Sequence, residues 1–390
     1  MKITVTAREL NRATLSRQLL LERAQLGVTD VMRRVVALQA QHAASPYLAL
    51  WNRIEGFKAE DLDDAFAGGA AVKATLLRMT LHAVHAEDYQ VFREAMQPTL
   101  YAARLGYHFA ATGLTPADGD ALAPEAVRFA EQARTAGEME TWVGQQVGAE
   151  RKAGAWWGLR AYAPLLHVPT GGPWSFGARP SYVAARTGPV PAGRETRTEA
   201  LTTLVLRYLA GFGPASVADV AQFATVQRTP IRQVLTALTA LDARDGAVEK
   251  LQGPDGATLF DLPGAPRPPA DVPAPPRLMA MWDSVLLAYA DRGRVIPPAY
   301  RRLVIRTNGD VLPTLLVDGY VAGVWRPVEG GVEATAFHAL PPAVWDGLAA
   351  EARAVTALLA DRDAEAYRRF HHWWGKLTLP GEAQVRLLPG

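Results

Sequence analysis

Apolar residues recur with the period of an α-helix in the stretch that begins near residue 200. A helical run covers Ala200–Ala210, and Ser216 with Asp219 three residues later predicts the N-cap of a second helix. Thr229-Pro230 opens a third helix, which carries a continuous apolar stripe. The stripe consists of Ile231, Val234, Leu235, Leu238 and Leu241.

Two strand-like runs follow this third helix. They are Val248–Leu251 and Thr258–Leu262, and Gly253-Pro254-Asp255-Gly256 forms the turn between them. Two helices joined by a turn and followed by a hairpin are typical of a winged helix. We therefore predict a winged-helix module over residues 196–265, with its wing at 248–262.

The N-terminal part repeats this order less clearly. Helix starts are followed by two strands around Arg78-Met79-Thr80, which indicates a first winged helix over residues 1–123. Residues 124–195 combine helical runs with the irregular stretch HVPTGGPWSFGARP, which we interpret as a second, degenerate winged helix. The elements expected here are a helix after Thr6-x-x-Glu9, one from Thr29 and Asp30 through Leu38, one from Ser45-Pro46, strands at Val72–Leu77 and Leu81–Val84, and helices over Glu125–Ala136 and from Glu138.

The pattern changes after the proline-rich segment Gly264–Arg277, which is typical of a linker. Asn308-Gly309 and Asp318-Gly319 are strong hairpin signals between apolar runs. Residues 266–390 are therefore predicted to form a small β meander or barrel with helices. The expected elements are strands at Leu303–Arg306, Val311–Val317, Tyr320–Arg326 and Val332–Phe337, and helices near Pro342–Arg353 and Asp361–Trp373. The fold class is α+β, mainly helical, with three tandem winged helices.

Composition narrows the class of protein. The chain has 390 residues, of which 49% are hydrophobic, and no cysteine, so disulfides and thiolate chemistry are excluded. No apolar run has the length of a membrane span or a signal peptide, so we expect a cytoplasmic protein with no membrane partner. The formal net charge of +2 neither demands nor excludes nucleic acid.

Several kinds of site are absent from the sequence. The histidines have no ligand spacing with acidic residues, so no metal is expected, and no phosphate-binding glycine motif or serine-hydrolase elbow occurs, so no cofactor is expected. The polar face of the third helix near residue 230 has one cation. A helix that reads DNA bases usually carries more cations and amide groups for contacts with phosphates and base edges. We therefore favour a scaffold role for that helix. The face consists of Arg232, Gln233, Thr236 and Thr239.

Two glutamines, Gln39 and Gln41, stand where the second predicted helix ends. Gln39 falls on the apolar stripe of that helix, and a buried amide without a hydrogen bond costs about 1–3 kcal/mol. Pro46 disfavours helical conformation at Ser45, so the chain is expected to unwind near Gln41. The residues alone leave two interpretations open. Either both amides line one cleft, or Gln39 satisfies backbone groups and Gln41 is solvated.

Blocks along nearly the whole chain resemble the winged-helix DNA glycosylases. They occur in the family's order, which makes chance similarity an unsatisfactory explanation. The resemblance implies a C-shaped arrangement of the winged helices around double-stranded DNA, with excision of bulky N7- and N3-alkylated purines and unhooking of interstrand crosslinks. The blocks are VVALQAQHAASPYLALWNRI, LRMTLHAVHAEDY, YLAGFGPASVADVAQF, WDSVLLAYADRGRVIPP and VLPTLLVDGYVAGVW.

The same resemblance implies the site. The family's active motif, a glutamine, an aliphatic residue and a second glutamine or aspartate, corresponds to Gln39-Ala40-Gln41, and the Gln form implies the crosslink-directed branch. A C-terminal hairpin that engages crosslinked DNA is expected at Thr307-Asn308-Gly309-Asp310. Further residues are candidates for contacts with DNA or the lesion, each with a structural role as the alternative. They are His42, Ser45, Arg78, Thr80, His82, Trp282, Asp283, Arg306, Thr307, Asn308 and Gly309.

The expected chemistry needs no general acid, because an N7-alkylated purine is positively charged and already a good leaving group. Two amides could position water at C1′ and offer partial negative charge to the sugar cation. No lysine nucleophile is evident, so we expect a monofunctional glycosylase of base excision repair, a monomer that confers self-resistance to a DNA-alkylating natural product such as azinomycin. The alternatives are a non-enzymatic winged-helix transcriptional regulator and a protein that sequesters the drug.

Overall fold

Helices and antiparallel sheets are combined throughout the computed structural model, which describes residues 3–186, 188, 190–193, 195, 197–240 and 248–390. The helices are α1 Ala7–Arg17, α2 Val28–Arg34, α3 Ser45–Trp51, α4 Ala59–Ala67, α5 Ala86–Ala95, α6 Gln97–Arg104, α7 Tyr107–Ala110, α8 Pro116–Phe129, α9 Ala136–Val147, α10 Lys152–Tyr162, α11 Thr198–Phe212, α12 Val217–Ala224, α13 Arg228–Ala240, α14 Arg301–Val304 and α15 Pro342–Ala360. The strands are β1 Leu38–Gln39, β2 Ala71–Thr75, β3 Leu81–His85, β4 Arg134–Thr135, β5 Leu165–His167, β6 Ser181–Ala184, β7 Glu249–Gln252, β8 Thr258–Asp261, β9 Arg277–Leu278, β10 Thr314–Val317, β11 Tyr320–Val328, β12 Gly331–Ala336 and β13 Gln384–Pro389. The mixed α and β class is therefore confirmed.

One six-stranded sheet carries the region of the paired glutamines. Its order is β1-β3-β2-β5-β6-β4, and each neighbouring pair is antiparallel. Strands from residues 38–85 thus join strands from residues 134–184 in a single sheet. The predicted boundary between 123 and 124 falls inside α8, whose capping box is formed by Thr115 and Asp118. The predicted helix start at Glu125 is wrong, because this cap begins the helix at Pro116, about two and a half turns earlier, and Pro124 lies within it.

The second predicted helix is shorter than expected. It begins at Val28 and ends at Arg34, and Val36 has a left-handed backbone with φ 75°. The chain then becomes extended, and Leu38 and Gln39 pair with Ala83 and His82 of β3. Leu38 and Gln39 therefore pair with the free edge of β3, although their apolar spacing predicts a helix. The prediction of a helix through Leu38 is wrong.

The helices and hairpin predicted between residues 200 and 262 are confirmed in the described residues. Ser216 and Asp219 form a complete capping box at α12, and β7 pairs with β8 around the predicted turn. The apolar stripe of α13 is buried from Ile231 to Leu238. Leu241, the last residue of that stripe, lies outside the described residues.

The N-terminus belongs to this hairpin in space. Val5 donates its backbone N–H to Gln252 of β7 over 2.8 Å. The guanidinium of Arg17 at the end of α1 is bidentate to Asp261 of β8 at 2.7 and 2.8 Å, with both side chains fully buried. The predicted linker is also held, because Arg12 donates to the carbonyl of Val272. Helix α1 therefore fastens the hairpin and the proline-rich segment together.

The C-terminal part is built on the five-stranded antiparallel sheet β13-β12-β11-β10-β9. Two predictions here are wrong. Leu303 lies in the short helix α14 rather than in a strand, and the predicted helix Asp361–Trp373 is a 3-10 helix over Arg368–Lys376. The Asn308-Gly309 turn closes only one isolated bridge, between Ile305 and Val311.

A buried ion pair fixes the C-terminal part on the N-terminal helices. Arg53 donates from both terminal nitrogens to Asp283, each over 2.8 Å, and both side chains are about 1% exposed. Asp283 also caps the next turn by accepting from the N–H of Val285. A carboxylate satisfied in this way is a structural group, since its oxygens are already bonded. Among the described residues, no helix combines the length and hydropathy that crossing a membrane requires.

Asp283→Asn is expected to lower the free energy of unfolding by about 3–5 kcal/mol, because the charge of Arg53 then remains buried without its carboxylate. Urea denaturation followed by tryptophan fluorescence measures the change. Glu125→Gln is the control, since the exposed pair of Glu125 and Arg128 contributes little. If Asp283→Asn is as stable as the wild type, the ion pair of Arg53 and Asp283 does not hold the C-terminal part on the N-terminal helices.

Candidate active site around Gln41

A strained turn between β2 and β3 carries the side chains that surround the paired glutamines. Arg78 and Met79 are consecutive non-glycine residues with left-handed backbones, at φ 53° and 59°. The turn is closed by hydrogen bonds from Leu76 N–H to Thr80 O and from Met79 N–H to Leu76 O. Left-handed conformation is costly for such residues, so their surroundings must hold it.

The amide of Gln39 supplies one of those restraints. Its Oε1 accepts from Arg78 Nη2 at 2.8 Å, and its Nε2 donates to Thr80 Oγ1 at 3.0 Å. Gln39 is only 4% exposed. It therefore lies behind the surface with both amide atoms occupied by protein, which is close to the alternative in which this glutamine satisfies its neighbours.

His82 completes the network and is neutral. Its ring is fully buried, and burial together with Arg78 holds its pKa well below the usual range. Arg78 Nη2 lies 3.2 Å from Nε2, and the Thr80 carbonyl lies 3.0 Å from Nδ1. A guanidinium can only donate, so Nε2 accepts and Nδ1–H donates.

Arg78 is a cation without a carboxylate partner among the described residues. Its guanidinium lies 5.6 Å from the ring centre of Phe223, and its Nη1 is buried without a hydrogen bond. Burial, with a contribution from Arg292, lowers the pKa of Arg78 to about 9, so the side chain still carries its charge at neutral pH. The oxygen of Gln39 is the amide acceptor that this charge uses, at 2.8 Å from Nη2.

Gln41 has the opposite environment. It is exposed, and its Oε1 accepts from the N–H of Leu81 over 3.4 Å. The two amides therefore converge on Thr80 and Leu81, but only Gln41 lines open space. It borders two adjoining cavities of about 310 Å³ each, which share Gln41, Leu81, His167 and Pro180. We call the two cavities together the Gln41 groove.

The first cavity of the groove, the Lys73 cavity, is walled by the irregular stretch 167–180. Trp174 anchors this stretch against Tyr47, with ring centres 5.0 Å apart, and its indole donates to Asp363 over 3.2 Å. The ring of Phe176 lies 4.4 Å from Lys73 Nζ. The remaining lining residues are His42, Ala43, Val168, Thr170, Gly177, Ala178 and Arg369.

The second cavity, the Arg160 cavity, lies on the other side of Gln41. Arg160 is exposed, while Arg104 donates to the carbonyl of Met79 and lies 4.8 Å from the ring centre of Trp157. Its other lining residues are Thr75, Met79, Thr80, Ala161 and Tyr182.

The electrostatic character of the groove is cationic. Its described lining contains lysine and arginine but no aspartate or glutamate. Burial lowers the pKa of Lys73 to about 8, and burial with Lys73 and Arg160 lowers that of His167 to about 3. Such a lining attracts phosphate and offers no carboxylate general base.

His42 lies in the wall of the Lys73 cavity as a neutral ring. Its centre is 4.9 Å from that of Tyr367, and its Nδ1 accepts from the N–H of Ala44. Burial, followed by Arg369, lowers the pKa of His42 to about 4. It can therefore contact a ligand only as an uncharged group at neutral pH.

Three other candidates line neither cavity. Ser45 is buried and shares a hydrogen bond with Tyr367 Oη at 2.9 Å instead of capping α3. Trp282 is nearly buried, and its indole donates to Gly309 O over 3.1 Å. Asp283 is committed to Arg53. The structure places these side chains in packing and ion-pair positions.

The turn at Arg306–Asp310 projects into solvent at Thr307, Asn308 and Gly309. Arg306 lies over the ring of Trp373 at 4.8 Å, and the Trp373 indole donates to Asp310 over 2.8 Å. The tip is thus exposed while its base is clamped by aromatic side chains.

Sequence reasoning missed the cations of the groove. Lys73 is a charged residue within an apolar strand, which is a usable signal that it faces a special environment. Arg160, Arg369, His167 and Phe176 come from distant parts of the chain and gave no local signal. Among the described residues no group of His, Asp and Glu could hold a metal ion.

Comparisons with known proteins show the family and the fold of this chain. A family model described as DNA glycosylase AlkZ-like matches residues 32–358. The interstrand DNA cross-link repair glycosylase of Streptomyces sahachiroi is 25% identical over 336 residues, covering 83% of this chain and 88% of the relative. The solved structure of Streptomyces sahachiroi DNA glycosylase AlkZ superposes with a TM-score of 0.75 at 21% identity, covering 91% of this chain and 96% of that one. The chain belongs to the AlkZ-like family of DNA glycosylases.

Proposed function

We propose that this AlkZ-like DNA glycosylase hydrolyses the N-glycosidic bond of bulky N7- and N3-alkylated purines and unhooks interstrand crosslinks. The observation that carries the proposal is the exposed amide of Gln41 between two cation-lined cavities without acidic side chains. The relative named for cross-link repair supports the same substrate class. Self-resistance to a DNA-alkylating natural product is the proposed purpose.

The fold is proposed to act as three tandem winged-helix modules arranged in a C shape around the DNA, in a cytoplasmic monomer. Support comes from α12 and α13 followed by the β7–β8 hairpin, which have the order of a winged helix. No cofactor is required by the chemistry.

The reaction exploits the charge of the lesion. An alkylated purine leaves as a neutral base, so the enzyme needs to stabilise the sugar cation and deliver water rather than protonate the leaving group. A carboxylate would be the stronger base, but none of the described residues lining the groove provides one. A weak acceptor also favours specificity, because an undamaged purine remains uncleaved.

Gln41 is the proposed catalytic residue. Its carbonyl oxygen can accept a hydrogen bond from the attacking water and present partial negative charge to C1′. The N–H of Leu81 limits the rotation of this amide by donating to its oxygen. The second lone pair of this oxygen remains available to the water.

Gln39 is proposed to act as a positioning residue beneath Gln41. Its amide ties Arg78 and Thr80 to β1, and Thr80 precedes the Leu81 N–H that holds Gln41. The two glutamines thus share one task but not one position, which refines the expectation that both line a single cleft.

Gln41→Ala should lower the single-turnover excision of N7-methylguanine from duplex DNA by about 10²-fold, the usual size of a water-positioning or base contribution. Strand breaks after heating in alkali measure the abasic product. The folded stability should stay within about 0.5 kcal/mol because the side chain is exposed. Gln145→Ala, at an exposed glutamine of α9, is the matched control and should retain full activity.

Gln39→Ala should reduce excision and stability together. Removing the amide leaves Arg78 with fewer acceptors, at a cost of about 1–3 kcal/mol in unfolding free energy. Differential scanning calorimetry alongside the excision assay tests this. Full stability with lost activity would argue that Gln39 contacts the substrate directly. Inactivity of the wild-type protein on every alkylated duplex, with sequence-selective binding of undamaged DNA, would favour a regulator.

Thr307→Glu tests the exposed turn as the element that engages crosslinked DNA. A negative charge at the tip should slow crosslink unhooking about fivefold relative to monoadduct excision, the effect of about 1 kcal/mol of like-charge repulsion. Denaturing electrophoresis of crosslinked duplex measures unhooking. Thr141→Glu, at an exposed position in α9, is the control. Equal rates for both variants and the wild type would remove the turn from the DNA interface.

A further inference from the structure

The amine of Lys73 is the group in the groove that the proposed hydrolysis does not use. Lys73 is 6% exposed, yet it lines the Lys73 cavity beside Gln41. No acidic side chain of the described residues pairs with it, and its closest described partner is the face of Phe176, at 4.4 Å from Nζ. A nearly buried, unpaired ammonium facing a cavity indicates an anionic ligand, because desolvating it without one is costly.

Strand pairing sets the position of this amine. Lys73 pairs with His167 across β2 and β5, so both side chains project from the same face of the sheet, and both line the Lys73 cavity. His167 carries no charge at neutral pH, since burial and Lys73 hold its pKa near 3. The histidine therefore neither neutralises nor replaces the lysine.

A second cation reaches the same cavity from the C-terminal part of the chain. Arg369 is exposed, lines the Lys73 cavity, and has no ion pair with the described residues. The positive charges of Arg369 and Lys73 both lower the pKa of His42, which lines the same cavity. The two cations therefore act on the same wall of the cavity. The hydroxyl of Thr170 adds a neutral donor to this wall.

We propose that Lys73 and Arg369 bind one backbone phosphate of the DNA, next to the nucleotide whose C1′ lies at Gln41. The ligand rests on the proposed function, since it is the DNA that the glycosylase acts on. The alkylated base is not the ligand of this cavity, because its positive charge would face two further cations. The lysine and arginine thus hold the DNA backbone beside the damaged nucleotide.

The role of Lys73 is electrostatic. A phosphate contact has nearly the same strength in the ground state and in the transition state, so its loss weakens binding more than it slows the bound reaction. A lysine acting as a covalent nucleophile on C1′ would have the opposite signature, with a collapse of the reaction of bound DNA. The two roles therefore separate in the kinetics.

The protonation of Lys73 allows a second test of the proposed phosphate contact. Burial lowers the pKa of Lys73 to about 8, so the amine is charged at pH 7 and loses its charge as the pH rises toward 9. The other titratable groups facing it are His42 and His167, which are neutral over this range, and Arg369, which stays charged. Affinity for DNA should therefore fall as the pH rises through about 8, and bound phosphate shifts the fall upward.

The test measures binding of an undamaged fluorescent duplex to the full chain at several salt concentrations. Each phosphate contact contributes close to one unit to the slope of log K against log salt. Lys73→Met, which keeps the length of the buried stem, should reduce the slope by about one unit and weaken binding about tenfold at low salt. Arg353→Met removes an exposed cation that lines neither cavity and should leave the slope unchanged.

Lys73→Arg separates charge from packing. It should keep the slope and most of the affinity but lose the fall in affinity between pH 7 and pH 9, because arginine does not titrate there. Thermal unfolding verifies that both variants fold. Since undamaged DNA is the probe, this binding result is independent of whether the protein excises any lesion.

Two results would overturn the inference. One is an unchanged salt slope in folded Lys73→Met. The other is capture of a lysine adduct on lesion-containing DNA by borohydride in the wild type, together with equal loss of excision in Lys73→Met and Lys73→Arg. If Lys73→Met keeps its excision activity and the slope of log K against log salt is unchanged, the proposed glycosylase activity is retained and only the phosphate site is refuted.

Discussion

A buried guanidinium that has no carboxylate partner among the described residues is the constraint on which the site depends. Arg78 sits in a left-handed turn, and the groups that accept from it are the oxygen of Gln39 and the neutral ring of His82. Because an unsatisfied buried cation is costly, this contact fixes the end of β1 against the turn. Gln41 follows two residues later, where the strand has ended and the side chain reaches solvent. The contact of Gln39 with Arg78 thus determines the position of Gln41.

The groove around Gln41 is assembled from distant segments. Strand β2 contributes Lys73, the irregular stretch 167–180 contributes Phe176, and the C-terminal 3-10 helix contributes Arg369. The ion pair of Arg53 with Asp283 holds the C-terminal part in place. A cationic lining without carboxylates matches a reaction in which the substrate brings its own positive leaving group and the enzyme handles a polyanion. The lack of a carboxylate among the described lining residues therefore gives little assistance to the hydrolysis of undamaged nucleotides, whose bases are poor leaving groups.

Much of the fold followed from local patterns, because capping boxes such as Ser216 with Asp219 and the hairpin around residues 253–256 depend on nearby residues alone. The failures have a common cause. Leu38 and Gln39 carry a helical apolar spacing, yet the open edge of β3 recruits them into a sheet. The motif of paired glutamines was visible, but the unequal burial of the two amides was not, because Arg78 and Thr80 approach from the turn some 40 residues later. Lys73 and Arg369 are far apart in the sequence and line the same cavity only in the folded chain, so no local pattern predicts them together.

The most direct test of this account is a crystal structure of the protein on duplex DNA that carries a cationic pyrrolidine analogue of the sugar at the lesion position. We predict a water molecule held between the amide of Gln41 and the position of C1′, with Gln39 still hydrogen-bonded to Arg78 and Thr80. An analogue whose C1′ position lies away from Gln41, with its water held by other side chains, would contradict the claim that this exposed amide directs hydrolysis.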